Sequence, residues 1–363
     1  MTHGLRDGAR RLRVRTASLG HQWGSRLVQT RPYREDDEPG ALRLLQAAFG
    51  KWPHLVENQD PAEVFRWKHL ANPAGRSLMM VAEADSALIG FAAWMQWRVT
   101  TGVHVFEVLR AVDVAVDPRY RGQGVYAGLV RGATARFGPD VAFTFNAPNE
   151  LSRSGSLKAG GRELGMFAVW VRPRAPVRST VRVVGDRMRS RRLRGRPAID
   201  AESAADALSD REQVASLLSQ LEQANGRLAT VRDLDYLTWR YGSLRAYWAV
   251  REYQDGRLAG MAFFRVRRRQ RSWISIVCEL LVRPGERSTA RRLLRSVAQA
   301  APVEYLVCHF PQGSAARRAA IQRGFVRLRS GPAPTVRQLI EHIEPDPTRG
   351  SSWAISLGDL DLL

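Results

Sequence analysis

The chain has 363 residues, 44% of them hydrophobic, and carries a formal charge of +21. Its length predicts two domains rather than one, and its apolar content fits a soluble globular protein with a real core. No stretch approaches the roughly 18 consecutive apolar residues of a membrane-spanning helix. Lysine occurs only at Lys51, Lys68 and Lys158, so the excess charge is arginine, much of it in two segments, and nucleic acid is not expected as the main partner.

The first basic segment is the N-terminal arm, residues 1–26, in which Asp7 is the sole acid. It reads as a mobile tether and lacks the apolar core of a secretory signal, so a cytoplasmic location is expected. In the first half, residues 27–171, Asp60 followed by Glu63 predicts a capped helix start. A hairpin turned at Asp85-Ser86 comes next, then a long strand to Asp117-Pro118, a helix, the strand VAFTFNA, a second helix and a final strand. Residues 172–204 form the second basic segment. There Val177, Val181, Val184 and Met188 recur at helical spacing among arginines, which fits a tether or a basic amphipathic helix on an anionic membrane surface.

Residues 205–335 repeat the first half at a nearly constant offset: Trp239 answers Trp67, Gly260 answers Gly90, and ELLVRP at 279–284 answers DVAVDP at 113–118. Here Thr230 with Asp233 predicts the helix start, and Asp255-Gly256 a two-residue hairpin turn. Sequence-adjacent strands with helices packed against them make each half α/β, a mixed and mostly antiparallel sheet flanked by helices. Residues 336–363 are left as a tail. Cys278 and Cys308, each in an apolar run, read as buried thiols in a reducing compartment, and no metal site is expected.

The stretch AVDVAVDPRYRGQGVYAGLV, residues 111–130, runs from a β-branched strand through a turn that carries two glycines among arginines and into a helix. A helix start presents free N–H groups with partial positive charge, and glycine lets an anion approach them without a Cβ in the way. This is the arrangement a diphosphate requires.

In context, VDVAVDPRYRGQGVYAGLVRGA resembles the acyl-CoA-binding segment of the GCN5-related N-acetyltransferase superfamily, whose (Q/R)-x-x-G-x-(G/A) signature is met by Arg119, Gly122 and Gly124. Asn149, Ser152, Ser156 and Gly160 follow the later pattern N-x-x-A-x-x-x-Y-x-x-x-G, with serine in place of alanine and of tyrosine. RPYREDDEPGALRLLQAAF is similar to the usual opening strand and helix. The resemblance covers the first half well and the second in outline, and implies two tandem domains of this fold.

It also implies transfer of an acetyl or other short acyl group from acetyl-CoA, as co-substrate, to a primary amine of a small molecule. Val114 and Val116 would pair with the pantetheine arm, and an amide near Val114 would polarise the thioester carbonyl. Amides of Arg121, Gly122, Gln123, Gly124, Val125 and Tyr126 would hold the pyrophosphate, and Asn149 would bond to the pantetheine. The tyrosine that often protonates the leaving thiolate is replaced by Ser156, so that proton comes from Ser156, from water or from another tyrosine such as Tyr126. Glu107 and Asp113 are the candidate bases. Asp113 has an acidic counterpart in Glu279, which hints at a structural duty, so Glu107→Gln is expected to cost more turnover than Asp113→Asn. Trp52, Trp94 and Trp97 belong either to the core or to an acceptor site.

The second half aligns Gly285-Glu-Arg-Ser-Thr-Ala on Arg119-Tyr-Arg-Gly-Gln-Gly, so both helix-start glycines are lost and Glu286 is gained. This half is expected not to bind the cofactor but to wall the acceptor cleft, with the tail's Trp353, Asp359 and Asp361 placed to meet a cationic acceptor. Two rival readings stay open: an aminoacyl transferase of Fem type using charged tRNA, and a non-catalytic acyl-CoA-binding scaffold.

Overall fold

The computed structural model describes residues 21–23, 26–50, 52–53, 59–174, 196–221 and 224–360. The arm before residue 21, the Val177–Met188 repeat and Asp361 lie outside the described residues.

The first half runs β1 (His21–Trp23), β2 (Arg26–Pro32), α1 (Glu38–Phe49), α2 (Pro61–His69), β3 (Leu78–Ala84), β4 (Ala87–Thr100) and β5 (Val105–Val116). It continues with α3 (Val125–Thr134), β6 (Val141–Asn146), α4 (Glu150–Lys158), β7 (Arg162–Glu163) and β8 (Trp170–Pro173). The second half opens with β9 (Glu202–Ser203), α5 (Ala204–Ala207), α6 (Arg211–Ser219), β10 (Ala229–Thr230) and α7 (Leu234–Leu237). Then come β11 (Trp248–Gln254), β12 (Arg257–Arg269), β13 (Ser272–Val282), α8 (Arg287–Ala300), β14 (Tyr305–Cys308), α9 (Ala315–Gln322), β15 (Val326–Arg327), β16 (Thr335–Gln338) and α10 (Leu357–Leu360).

These strands make two sheets, ordered β1-β2-β3-β4-β5-β6-β16-β7 and β15-β8-β14-β13-β12-β11-β9, with β10 paired to β4. In each sheet one pair is parallel, β5 with β6 and β13 with β14. Both hairpin turns form where expected, with left-handed φ at Asp85 and Ser86 (50° and 63°) and at Asp255 and Gly256 (49° and 73°). Asp60 caps α2 as read from the sequence. In the second half Thr230 is a strand residue paired with Val99, and Asp233 is the cap instead, its side chain accepting from Tyr236 N. A Thr can serve either role, and here the edge of β4 recruits its backbone.

The last strand of each half is spent on the other half's sheet. β8 leaves the first half to pair with β14 and β15, and β16 returns to lie between β6 and β7. Apolar periodicity marks a strand but not its partner, so the sequence reading keeps the first half's final strand in that half and leaves residues 336–363 as a tail. The core follows the exchange: one cluster joins Phe65, Trp97 and Phe143 of the first half to Tyr241, Phe263 and Leu357 of the second. Burying such a side chain is worth about 1.5–3 kcal/mol, so the halves stabilise each other. No helix among the described residues is long and apolar enough to cross a membrane.

Candidate active site

β5 and β6 pair only from Glu107 opposite Val141 to Arg110 opposite Phe145. Beyond Ala111 and Asn146 the strands part, and that edge of β5 up to Val116 has no strand partner among the described residues. The strand is also bulged there. Phe91 pairs with Ala115 and Ala93 with Val112, so Asp113 and Val114 share the single position opposite Ala92. A bulge frees backbone groups from the ladder and re-aims its side chains. Asp113 takes φ 49°, which a non-glycine residue adopts only when other contacts hold it.

The loop after β5 ends at the same opening. Asp117 accepts from Arg119 N at 2.9 Å and holds the Arg119 guanidinium at 2.7 Å, which fixes the turn. Gly122 and Gly124 have φ 76° and 79°, and a Cβ on either would meet no atom within 4 Å. Gly124 is the N-cap of α3 and supplies no side-chain cap for the first-turn N–H groups of Val125, Tyr126 and Ala127. Val125 is buried, and a Cβ at Gly90 would come within 2.8 Å of it; the glycine lets α3 seat on β4. Gln123 donates to Arg119 O at 2.9 Å and Arg121 to Val116 O at 3.3 Å, both within the loop. Val114 and Val116 thus lie on the free stretch of β5 that leads into this loop, and the loop's glycines and uncapped helix start fit a diphosphate.

At the parting of the strands a small cavity of about 40 Å³ is lined by Ala111, Tyr126, Asn146 and Ser156. Thr335 of β16 donates to Asn146 Oδ1, Asn146 Nδ2 donates to Ser156 Oγ at 2.9 Å, and Ser156 is hydrogen-bonded to the Tyr126 hydroxyl. Burial raises the Tyr126 pKa above its usual value, so the phenol stays protonated at neutral pH. Ser156, which stands at the pattern's tyrosine position, and the α3 tyrosine named from the sequence therefore meet. Asn146 and Thr335 were not legible there, because one closes a strand and the other arrives from 189 residues away. Asn149 is the N-cap of α4: its Oδ1 accepts from Ser152 N and Ser152 Oγ, both at 2.9 Å, which leaves only its Nδ2 for a ligand.

The two candidate bases stand apart. The Asp113 side chain is 9% exposed and held by Lys68 Nζ at 2.7 Å, His69 Nε2 at 3.1 Å and Trp52 Nε1 at 3.2 Å. Burial alone would raise its pKa, but the Lys68 ammonium and the His69 bond outweigh it and hold the carboxyl well below the usual range. Such a carboxylate is a weak base. Glu107 is exposed, lies on the paired stretch opposite Arg98, and at about 3.3 Å per residue is roughly 20 Å along β5 from Val114. Trp52, Trp94 and Trp97 are 4%, 4% and 2% exposed and belong to the core.

The tail also departs from expectation. Trp353 packs on Phe143 and Phe145 at 5.5 and 5.7 Å, and Arg110 donates to the carbonyls of Asp359 and Leu360. Asp359 is buried against Arg232 at 2.7 Å, so its charge is answered within the protein rather than offered to an acceptor. Glu279, the counterpart of Asp113, is held by the same arginine at 2.9 Å.

A family model for the acetyltransferase (GNAT) domain matches residues 29–150. No match was found among curated proteins. Among solved structures, a probable N-acyltransferase from Enterococcus faecalis is 14% identical with a TM-score of 0.61, over 86% of this chain and 72% of that one. A GCN5-related N-acetyltransferase from Anabaena variabilis is 13% identical with a TM-score of 0.59, over 86% and 72%. Eis1 from Mycobacterium abscessus is 15% identical with a TM-score of 0.52, over 86% and 73%. At such identities these likenesses speak for the fold, and they extend over both halves, whereas the family model covers the half that carries the glycine loop. Residues 29–150 thus match the acetyltransferase (GNAT) domain, and the chain as a whole shares the fold of these N-acyltransferase structures.

Proposed function

We propose that the protein transfers an acetyl or other short acyl group from acyl-CoA to a primary amine of a small molecule, and that the first half performs the chemistry. The observation that carries this reading is the meeting, at one opening, of the free β5 edge, the uncapped start of α3 at Gly124 and the Tyr126–Ser156 pair. The pantetheine arm adds to β5 as a strand would, the α3 amides take the diphosphate, and the backbone freed by the bulge at Asp113–Val114 polarises the thioester carbonyl.

The neutral amine attacks that carbonyl; its nitrogen–carbon bond forms as the carbon–sulfur bond breaks, and the thiolate leaves. Thr335 and the Asn146 amide each donate toward Tyr126, so the Ser156 hydroxyl hydrogen is left for the Tyr126 oxygen and the phenol's own proton is free for the sulfur. Asp113 and Glu107 take no part in this scheme, and the amine loses its proton to solvent. The test is a screen of amines for acetyl-CoA-dependent release of CoA thiol, run on the wild type and on Tyr126→Phe. Turnover that is acetyl-CoA-dependent and slowed in the variant supports the scheme; turnover from charged tRNA alone would replace it.

A further inference from the structure

A cavity of about 660 Å³ lies in the second half, between the ends of β13 and β14 and at the starts of α8 and α9. By the internal repeat this is the counterpart of the first-half opening. The sequence argues against an anion here because Glu286 replaces part of the loop. The structure turns Glu286 aside: it accepts from Thr289 Oγ1 at 2.8 Å, stands 3.9 Å from Arg283, and does not line the cavity. The one carboxylate in the lining, Glu279, is gripped by Arg232 through two hydrogen bonds of 2.9 and 3.0 Å.

What remains is unanswered positive charge. Besides Arg232 and Arg283, which face carboxylates, the half-buried Arg227 and the exposed Arg287 and Arg318 line the cavity, and none of these three has a carboxylate partner among the described residues. Arg287 is the first residue of α8 and Arg318 the fourth of α9, so both cations sit at the positive ends of helices, where the helix dipole opposes them. Three like charges around one concavity repel one another as well. A surface loop or a solvated helix face gains nothing from this placement. An anion in the cavity relieves both costs at once, and the volume suits a group the size of a diphosphate ester.

We infer that the second-half cleft binds a phosphate-bearing anion of diphosphate size through Arg227, Arg287 and Arg318. The site is separate from the first-half opening and does not depend on the acyl-transfer reading. The experiment is calorimetric titration of the full chain with pyrophosphate, ADP and CoA at low and physiological salt. Wild type is compared with Arg287→Glu/Arg318→Glu and with Gly124→Val, which obstructs the first-half loop.

Pyrophosphate binding should persist in Gly124→Val, weaken at least about tenfold in the double charge reversal, and fall with salt. Because acids suit helix starts, the double variant should also melt at a higher temperature than the unliganded wild type, which a merely structural role for these arginines would not produce. Preference among pyrophosphate, ADP and CoA then identifies the source of the diphosphate. Unchanged pyrophosphate affinity in the double variant, or loss of all pyrophosphate binding in Gly124→Val, overturns the inference. Arg318→Ala alone, checked for folding by its melting curve, gives the same reading should the double variant fail to fold.

Discussion

Trp67 and Trp239 stack with ring centroids 5.1 Å apart and planes 19° from parallel, and each indole N–H donates to the other's backbone carbonyl, at 2.7 and 2.9 Å. The two residues answer each other in the internal repeat, so the pair relates the halves as a two-fold axis relates subunits. Both are buried, at 6% and 5% exposure. An indole lost here leaves a carbonyl without its donor and a hole between the halves.

Trp67→Phe and Trp239→Phe should therefore each cost about 2–4 kcal/mol, from an unmet buried acceptor plus lost packing. The double variant should cost less than the sum, because each single change already breaks the pair. Chemical denaturation measures all three, and strict additivity would mean that the two bonds act independently.

Residues 27–171 expressed alone should be insoluble or unfolded. That fragment lacks β16, which covers the edge of β6, and exposes Trp67 and Trp97. A soluble, cooperatively melting fragment would show that the exchanged strands are dispensable.

Asp113→Asn should destabilise the protein by about 3–5 kcal/mol, since it removes the carboxylate that answers the buried Lys68 ammonium. Glu107→Gln should leave both stability and turnover unchanged, because the side chain is exposed and remote from Val114. This replaces the order that the sequence suggests. Comparable melting curves for the Asp113 variant and the wild type would contradict the buried-pair account.

Stability should decline as pH falls below about 6.5, well before carboxylates titrate. His69 lies between Ser77 and Asp113, and His309 donates from Nδ1 to the Ala168 carbonyl beside Phe167; burial lowers both pKa values from 6.5. A histidine with a lowered folded pKa resists a proton that the unfolded chain accepts, so acid favours unfolding. Asp113, whose folded pKa is depressed, keeps its contribution until pH falls below the ordinary carboxylate value of 3.8. Denaturation midpoints that stay flat from pH 7 to 5 would contradict this.

Thr335→Val should lower kcat about tenfold with KM little changed, as a fraction of what a general acid contributes. Thr335→Ser should restore it. An equal fall in both variants, or a rise confined to KM, would show that Thr335 only packs.

The sequence carried the local features faithfully. The left-handed turns at Asp85-Ser86 and Asp255-Gly256 and the Asp60 cap are each written in a few neighbouring residues. Partnerships across the chain were not legible. Nothing in TVRQ at 335–338 says that it belongs beside Asn146, and nothing near Asp113 says that Lys68 will meet it. Those contacts depend on which edge is free and which charge is buried, and both are settled only when the two sheets close on each other.

The central claim is that acyl-CoA occupies the opening between β5 and the start of α3. Hydrogen exchange of the full chain with and without acetyl-CoA tests it most directly. Slowed exchange at the amides of Val114–Tyr126 in the wild type, and none in Gly124→Val, is the predicted result. Protection confined to residues 279–290, or absent throughout, would contradict it.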